Sequence, residues 1–448
     1  MKNESQESPP ANVPRAIVAK QAGDIGARWA WTEPVVWTDR MLAALERGVK
    51  GGVWFSLIDK VYSMGNLRAA FAKVKANHGA VGCDHQTVAM YEVHLDTNLE
   101  DLSDQLRKGT YRPQRIRRVH IPKPGSREFR PLGIPTVRDR IVQTALRSVI
   151  EPIFERDFAE HSYGFRPGRG CKDALRRVEA LLDDGYTHVV DVDIKSYFDT
   201  IPHKPLLGCV RQKIADGRVL TLIQSYLTQG VLDGLDEWTP TSGSPQGAVI
   251  SPLLSNAYLA PLDHEMAQAG YEMVRYADDL VILCRAAQEA REALERVKQW
   301  TTRQGLTLHP EKTRIADANQ EGFAFLGYHF ARGKRWPRGK SVKKLKDAIR
   351  AKTPRKHGQS LGFIIASVNQ TTRGWFEYFQ HTSYTTVFRI LDGMIRRRLR
   401  RLLLKRHGKH HYQGRGLAHY RWPNAYFAEQ GLFSMEAAHV RLRQSVVR

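Results

Sequence analysis

The sequence has only four cysteines among 448 residues, and no two of them form a CxxC pair. It therefore lacks both the ligand pattern of a zinc finger and the cysteine density of a disulfide scaffold, which suits a reducing compartment. No run approaches about 18 consecutive apolar residues, and the N-terminal segment lacks the hydrophobic region of a signal peptide. We therefore expect a cytoplasmic protein that does not cross a membrane.

Acidic residues are too few to balance the basic ones, since 46 Asp and Glu stand against 69 Lys and Arg, a formal net charge of +23. Most of this excess lies in residues 332–421, which contain 24 basic and three acidic residues, interleaved with Trp, Tyr and Phe. Basic residues that alternate with aromatic ones are typical of a surface that binds nucleic acid. An anionic membrane is a weaker alternative, because this stretch shows no amphipathic helix with a clean apolar face.

The chain alternates helical and strand-like patterns, and 42% of its residues are hydrophobic, as in a globular protein. Residues 115–135 are basic and rich in Pro and Gly, which predicts a basic hairpin, and helices are predicted over 138–154 and 171–183. Between about 186 and 330 the alternation predicts an α+β domain with a small antiparallel sheet. Residues 333–340 have the composition of a linker.

Two groups of aspartates stand inside apolar strand patterns. Asp191 and Asp193 fall on one face of a strand predicted over 189–194, and Asp278 and Asp279 lie at the tip of a predicted hairpin. Adjacent aspartates in a tight turn are most often turn residues. Together, however, the two groups could converge on one sheet and coordinate Mg²⁺. Two such ions about 4 Å apart could activate an attacking hydroxyl and stabilise a leaving pyrophosphate.

Three segments carry a resemblance to a known family: YADD at 276–279, DIKSYFDTI at 193–201 and GSPQGAVISPLLSNAYL at 243–259. They resemble motifs C, A and B of reverse transcriptases, specifically those of group II intron reverse transcriptase–maturases. Further blocks occur in the order that the family shows, namely fingers at 121–143, the next block at 162–171, motif D at 305–315, the primer grip at 325–330 and maturase segments at 373–379 and 421–427.

The resemblance implies an α+β right-hand polymerase. Its expected parts are an N-terminal extension (1–59), fingers (60–185), a palm with a small antiparallel sheet (186–330), a helical thumb or maturase domain (331–402) and a small basic DNA-binding tail (403–448). No cysteine follows Cys284, so we do not expect the HNH endonuclease that some members carry. The implied location is the bacterial cytoplasm, in association with the nucleoid.

The implied activity is RNA-directed DNA polymerisation, combined with binding of group II intron RNA as a splicing maturase and support of retrohoming. The alternative is a domesticated relative that acts in DNA repair or phage defence without an intron. A third hypothesis, an RNA-binding splicing factor with a vestigial polymerase site, is disfavoured because the acidic residues are all retained. The expected partners are group II intron RNA, an RNA template with a DNA primer, target DNA and dNTPs, with a homodimer possible.

The family also implies roles for individual residues. Asp193 and Asp278 would bind two Mg²⁺ ions, with Asp279 supporting them and the backbone carbonyl of Ile194 as a further ligand. Asp191 matches a supporting position.

Six further residues match substrate-binding positions: Lys123, Arg130, Phe198, Gln246, Gly247 and Lys312. Phe198 would exclude the ribose 2′-hydroxyl, and Gln246 and Gly247 would contact the incoming nucleotide and the template base. Lys123 and Arg130 would cover the triphosphate, and Lys312 could protonate the pyrophosphate. For these three basic residues, plain surface charge remains the alternative.

Eight arginines are candidates for nucleic-acid binding: Arg166, Arg169, Arg373, Arg396, Arg397, Arg398, Arg400 and Arg401. The last five cannot share one face of a helix, because successive residues advance by about 100°. Some of them are therefore expected to be solvated or to contact a second surface, with Leu399, Leu402 and Leu403 on the buried side.

Overall fold

The computed structural model of the protein describes residues 25–122, 129–354, 358–406 and 417–446. The chain folds into two compact units that interleave along the sequence. The first unit takes residues up to 119 with 133–158 and 202–258, and the second takes 120–132, 159–201 and 259–448. Within the described ranges, no helix combines the length and apolar character needed to span a bilayer.

Helices outnumber strands in the described part of the chain. The α-helices are α1 (Ile25–Trp29), α2 (Asp39–Arg47), α3 (Ile58–Tyr62), α4 (Met64–Ala76), α5 (Val88–Glu92), α6 (Leu95–Lys108), α7 (Val137–Glu155), α8 (Cys171–Asp183), α9 (Tyr197–Thr200), α10 (His203–Arg211), α11 (Gly217–Leu227), α12 (Ser251–Gln268), α13 (Ala287–Arg303), α14 (Gly339–Lys352), α15 (Leu361–Phe379), α16 (Thr386–Arg406), α17 (Leu417–Arg421), α18 (Asn424–Glu429) and α19 (Met435–Val446). The strands are β1 (Ile116–Pro122), β2 (Phe129–Ile134), β3 (His188–Asp193), β4 (Val231–Asp233), β5 (Asp236–Trp238), β6 (Glu272–Tyr276), β7 (Asp279–Cys284), β8 (Arg314–Asp317), β9 (Phe323–Phe325), β10 (Tyr328–Ala331) and β11 (Lys334–Pro337). This mixture of helices and small sheets confirms the α+β class.

The first unit is built around α7, which is buried on nearly every face. Thr136 begins this helix, because its side chain accepts a hydrogen bond from the backbone N–H of Asp139. The buried Asp139 carboxylate in turn accepts hydrogen bonds from the Tyr111 hydroxyl (2.6 Å) and the Gln114 N–H (3.0 Å). The helix predicted over 138–154 is thereby confirmed.

The second unit contains a four-stranded sheet in the order β6-β7-β3-β8, whose described neighbours pair antiparallel. The strands β3 and β7 pair from His188 opposite Cys284 to Asp193 opposite Asp279. Since side chains alternate across a strand, one face runs from the buried Val189 and Leu283 to these two acids. Helix α8 packs its apolar residues against that apolar end, which fixes the register of the acidic end.

The C-terminal helices of the second unit share one apolar core. Leu399, Leu402 and Leu403 of α16 are buried in it, as the sequence predicts. The core also includes Trp422, which lies between α17 and α18, Phe427 of α18 and Met435 of α19. The expected boundary between residues 402 and 403 falls inside α16.

The five arginines of α16 that the sequence analysis singled out divide into surface and interior residues. Arg400 is buried, with Nε donating to the carbonyl of Trp422 (2.8 Å) and Nη2 to Oδ1 of Asn424 (2.8 Å). Arg398 donates to the carbonyl of Thr353 (2.7 Å) and to its hydroxyl (2.6 Å). Arg397 and Arg401 are exposed. Arg400 is thus packed inside the helical core and does not present its guanidinium to a nucleic acid in this structure.

Replacing Arg400 with Ala is expected to destabilise the fold, because it leaves the carbonyl of Trp422 and the side chain of Asn424 without their donor. We expect the free energy of unfolding to fall by about 2 kcal/mol. Arg397→Ala, at an exposed position on the same helix, should change it by less than about 0.5 kcal/mol. Urea titration measures both values, and equal effects in the two variants would contradict the structural role of Arg400.

Candidate functional site

The hairpin of β6 and β7 closes on a two-residue turn made of Ala277 and Asp278. The last strand pair is Tyr276 with Asp279, and Ala277 has a φ of 59°. A positive φ at the first turn position is typical of the primed turns whose twist suits a hairpin. Gly164 lies against this turn so closely that an added Cβ would come within 2.2 Å of the Ala277 nitrogen. Position 164 therefore accommodates only glycine, because the backbone of the turn leaves no room for a side chain.

Strand pairing brings three of the four motif acids onto one surface. Asp193 is directly opposite Asp279, and Asp191, two residues earlier, lies on the same face. Asp278 follows in the turn immediately beside Asp279. The Asp193 carbonyl accepts a hydrogen bond from the His309 N–H (2.7 Å), which ties this strand end to the segment before β8. Ile194 is buried, in a bridge with Leu308.

These carboxylates repel one another. Burial, followed by repulsion from Asp191 and Asp278, raises the pKa of Asp279 to about 7, although part of this side chain reaches solvent. Burial raises the pKa of Asp191 to about 6, against an opposing effect of the Arg314 charge. Burial also raises the pKa of Asp278, while the positive charge of Arg130 lowers it. Burial is therefore the main cause of the raised pKa values, and repulsion between the carboxylates adds to it.

Basic side chains lie at the edge of this acidic cluster. Nζ of Lys312 is 3.3 Å from Oδ2 of Asp193, and Nε of Arg314 is 3.9 Å from Oδ2 of Asp191. The charge of Arg338, just before α14, also acts on Asp191 and Asp279. The sequence predicted a role for Lys312, whereas Arg314 and Arg338 lack any pattern that marks them in advance.

No three acidic, histidine or cysteine side chains converge as a ready-made metal site within the described ranges. The donor set still fits a hard divalent cation, because carboxylate oxygens are the ligands that Mg²⁺ prefers. The raised pKa values of Asp191 and Asp279 point the same way, since a bound cation would relieve the repulsion that contributes to them.

The other predicted substrate residues are distributed over both units. Phe198 is half-buried in the short helix α9, its ring 5.5 Å from that of Tyr197 in an edge-to-face contact. Gln246 and Gly247 belong to the first unit, where the Gln246 carbonyl accepts a hydrogen bond from the Gly133 N–H (2.6 Å). Lys123 lies outside the described residues.

The remaining predicted arginines have protein partners of their own. Arg166 is buried and donates to the carbonyls of Ala159 and Ser162, each at 2.6 Å. The Arg169 guanidinium lies over the Tyr163 ring at 5.8 Å, and that of Arg373 over the Phe433 ring at 4.6 Å. Arg166 therefore stabilises the loop in which it lies.

Sequence reasoning missed a buried ion pair next to the acidic cluster. Arg275, immediately before the YADD segment, is paired with Asp263 of α12. The available signal was an arginine within an apolar strand pattern, since a buried charge requires a partner. The position of that partner, twelve residues earlier, could not be deduced from the pattern.

Comparison with known proteins places two family models on the chain. The model described as "Reverse transcriptase (RNA-dependent DNA polymerase)" matches residues 121–330. The model described as "Group II intron, maturase-specific domain" matches residues 342–422. The first range contains all four motif acids, and the second contains most of the basic C-terminal stretch.

Protein YkfC of Escherichia coli is 37% identical over 56% of this chain and 76% of its own length. The group II intron-encoded protein LtrA of Lactococcus lactis is 35% identical over 50% of this chain, a match that spans only 37% of LtrA. A chain of the solved partial Cas6-RT-Cas1–Cas2 complex is 25% identical and covers 55% of this chain and 42% of its own. Its TM-score is 0.37, too low to support a conclusion about the fold.

The raised pKa of Asp191 predicts that the fold loses stability as the pH rises when divalent ions are removed. The unfolded chain releases this proton near the ordinary value of 3.8, whereas the folded protein keeps it until about pH 6. The stabilising contribution is therefore complete below about pH 4 and lost above about pH 6. In EDTA, the wild-type free energy of unfolding should fall over this window by up to about 3 kcal/mol more than that of Asp191→Asn.

Urea titrations at several pH values measure this difference. Asp236→Asn, which removes an exposed carboxylate of the first unit, is the matched control and should follow the wild type. If Asp191→Asn had the same pH dependence as the wild type, the assigned protonation of Asp191 would be incorrect.

Proposed function

Since the chain belongs to the reverse transcriptase family and carries a group II intron maturase-specific domain, we propose that it is an RNA-directed DNA polymerase that also binds intron RNA. The observation that carries the proposal is the strand register that sets Asp193 opposite Asp279, with Asp278 beside it in the turn. Polymerisation requires such a convergence of carboxylates at the end of a sheet. The parts proposed for it are fingers (60–185), palm (186–330), thumb (331–402) and basic tail (403–448), with α16 continuing across the last of these boundaries.

Reverse transcriptases generally use divalent metal ions, and two Mg²⁺ ions are proposed here. Asp193 and Asp278 would hold them, with the Ile194 carbonyl as a further ligand and Asp279 in support. When bound, the ions would activate the primer 3′-hydroxyl and stabilise the charge of the leaving pyrophosphate. Asp191 would add negative charge on the same face, where the pKa of its carboxyl is already raised by burial.

The basic residues around the acids would act on the triphosphate. Lys123 and Arg130 would bind it, and fixed cations of this kind stabilise charge as it develops on the leaving group. Lys312, 3.3 Å from the Asp193 carboxylate, lies close enough to the acids to deliver a proton to the pyrophosphate. Phe198 would select deoxynucleotides over ribonucleotides, and Gln246 and Gly247 would contact the paired template base and nucleotide.

The proposed nucleic-acid partners are an RNA template with its DNA primer, group II intron RNA and target DNA. The exposed Arg397, Arg401 and Lys405 of α16 support the RNA proposal, because each is four residues from the next and the three lie within about 80° of one another around the helix. Arg373 and the half-buried Arg396 add charge to the same helical region. This basic row would bind RNA phosphates, in keeping with the charge excess of the C-terminal stretch.

Replacing Asp278 with Asn should abolish polymerisation while the fold survives. Asn is nearly isosteric with Asp but lacks the charge that would bind both cations, so extension of a DNA primer on an RNA template should fall by at least about 1000-fold. The melting temperature and the affinity for primer–template should remain close to wild type. Asp199→Asn, an exposed residue of α9, serves as the matched control. Full extension activity in Asp278→Asn would mean that the reaction occurs elsewhere.

The basic row of α16 predicts a salt dependence of RNA binding. Each phosphate contact releases about 0.7–0.9 counterions, so Arg397→Gln with Arg401→Gln should reduce the slope of log K against log salt by about 1–2. A matched pair on α13, Arg291→Gln with Lys298→Gln, removes the same charge from another exposed helix. Filter binding of a structured intron RNA gives both slopes. An equal change in the two double variants would show that only net charge matters.

A further inference from the structure

The ion pair of Arg275 and Asp263 lies entirely inside the second unit. Arg275, on β6, has no exposed surface, and Asp263, on α12, is 4% exposed. Nε donates to Oδ1 at 2.7 Å, and Nη2 donates to Oδ2 at 2.5 Å. The guanidinium and the carboxylate therefore meet through two parallel hydrogen bonds, a geometry that fixes the plane and direction of the arginine.

A third donor of the same guanidinium reaches the turn that precedes Asp278. Nη1 of Arg275 donates to the Ala277 carbonyl at 2.9 Å. This carbonyl belongs to the peptide that joins Ala277 to Asp278, and Ala277 is held at a φ of 59°, which residues other than glycine seldom adopt. The arginine thus holds a strained peptide, and the direction of the Asp278 side chain depends on that peptide.

The backbone of Arg275 is anchored as well. Its N–H donates to the His161 carbonyl at 3.0 Å, and its carbonyl accepts from the Tyr163 N–H at 2.8 Å. The next glycine, Gly164, abuts the Ala277 nitrogen. The turn is therefore held from two sides. Residues 161–164 pack against it on one side, and the buried Arg275 side chain donates a hydrogen bond to it on the other.

A contribution to the stability of the fold does not by itself account for the buried ion pair of Arg275 and Asp263. Buried ion pairs are often matched or exceeded in stability by apolar side chains of similar volume. What an apolar pair cannot supply is a hydrogen bond of fixed direction to the Ala277 carbonyl. The ion pair therefore provides a hydrogen-bond donor of fixed direction, Nη1 of Arg275, at the turn, and Asp263 holds the guanidinium in that orientation.

We propose that Arg275, oriented by Asp263, is a positioning residue that sets the Ala277–Asp278 turn so that the Asp278 carboxylate can bind the reacting metal ions. This inference rests on the proposed function, since it assigns the role of the turn from polymerisation. It can nevertheless be tested independently of polymerase activity, because the binding of a divalent cation can be measured without turnover.

The test replaces the pair with apolar residues in one double variant, Arg275→Met with Asp263→Leu. This variant should keep a melting temperature within a few degrees of wild type, because no buried charge is left unpaired. A displacement of about 1 Å at a reacting group can reduce a rate about 100-fold, and we expect a loss of that order in kcat with little change in the KM for dNTP. Mn²⁺ binding, followed by EPR on a complex with a dideoxy-terminated primer, should weaken at least tenfold.

The matched control is an exposed ion pair that also involves α12. Arg303 donates to both carboxylate oxygens of Glu265 at 3.0 and 2.9 Å. The double variant Arg303→Met with Glu265→Leu should retain wild-type kcat and Mn²⁺ affinity. If the Arg275/Asp263 double variant fails to fold, Arg275→Lys replaces it, because lysine keeps the charge but cannot bridge Asp263 and the Ala277 carbonyl together. The same losses in kcat and Mn²⁺ affinity are expected there.

Wild-type kcat and Mn²⁺ affinity in a folded variant of the pair would overturn the inference. Failure of the proposed function has a different signature, namely no primer extension by the wild-type protein under any condition. In that case Mn²⁺ affinity still decides the positioning role: weaker binding in the variant supports it, and unchanged binding refutes it.

Discussion

The organisation of the site depends on the pairing of β3 with β7, which forces Asp193 to face Asp279 across the sheet. Like charges directly opposite one another destabilise a sheet. The rest of these strands offsets that repulsion, because Val189, Val190, Leu280 and Ile282 are fully buried. A shift of one residue would move the acids to the opposite face, among the buried residues Val190, Leu280 and Ile282, where they would lack polar partners. The core therefore maintains an acidic cluster that would not assemble by itself.

The basic residues near the acidic cluster differ in how deeply they are buried. Arg275 is fully buried and acts on the backbone of the turn, whereas Lys312 is largely exposed and reaches the Asp193 carboxylate from the solvent side. The fold thus places one cation inside the core, at the backbone of the turn, and another at the surface beside Asp193.

Much of the local structure was predictable from the sequence. Two neighbouring strands within 115–135, the helix at 171–183 and the acidic turn are found in the described residues, because each depends on near neighbours such as Pro, Gly and apolar periodicity. The α+β class and the family also followed from the sequence, since ordered motifs carry both. The convergence of the acids on one sheet was expected, but the register that places Asp193 opposite Asp279 was not predicted, because strand patterns do not specify which residues of distant strands pair.

Two features of the second unit were not apparent from the sequence. Residues 333–340 have the composition of a linker, yet Lys334–Pro337 forms β11, because its backbone pairs with β10. In the sequence, Arg400 does not differ from the exposed arginines beside it. In the structure, Trp422 and Asn424, more than twenty residues later, accept its hydrogen bonds. The local composition is basic and polar in both segments, so neither the strand pairing of 334–337 nor the distant acceptors of Arg400 could be deduced from it.

The most direct test of this account is a structure of the protein with an RNA template, a dideoxy-terminated DNA primer, an incoming dNTP and Mg²⁺. The account predicts two metal ions about 4 Å apart, both ligated by Asp193 and Asp278, with the Ala277–Asp278 turn still held by Arg275. Ions bound away from these two carboxylates, or a complex in which only one of the two aspartates contacts metal, would contradict it.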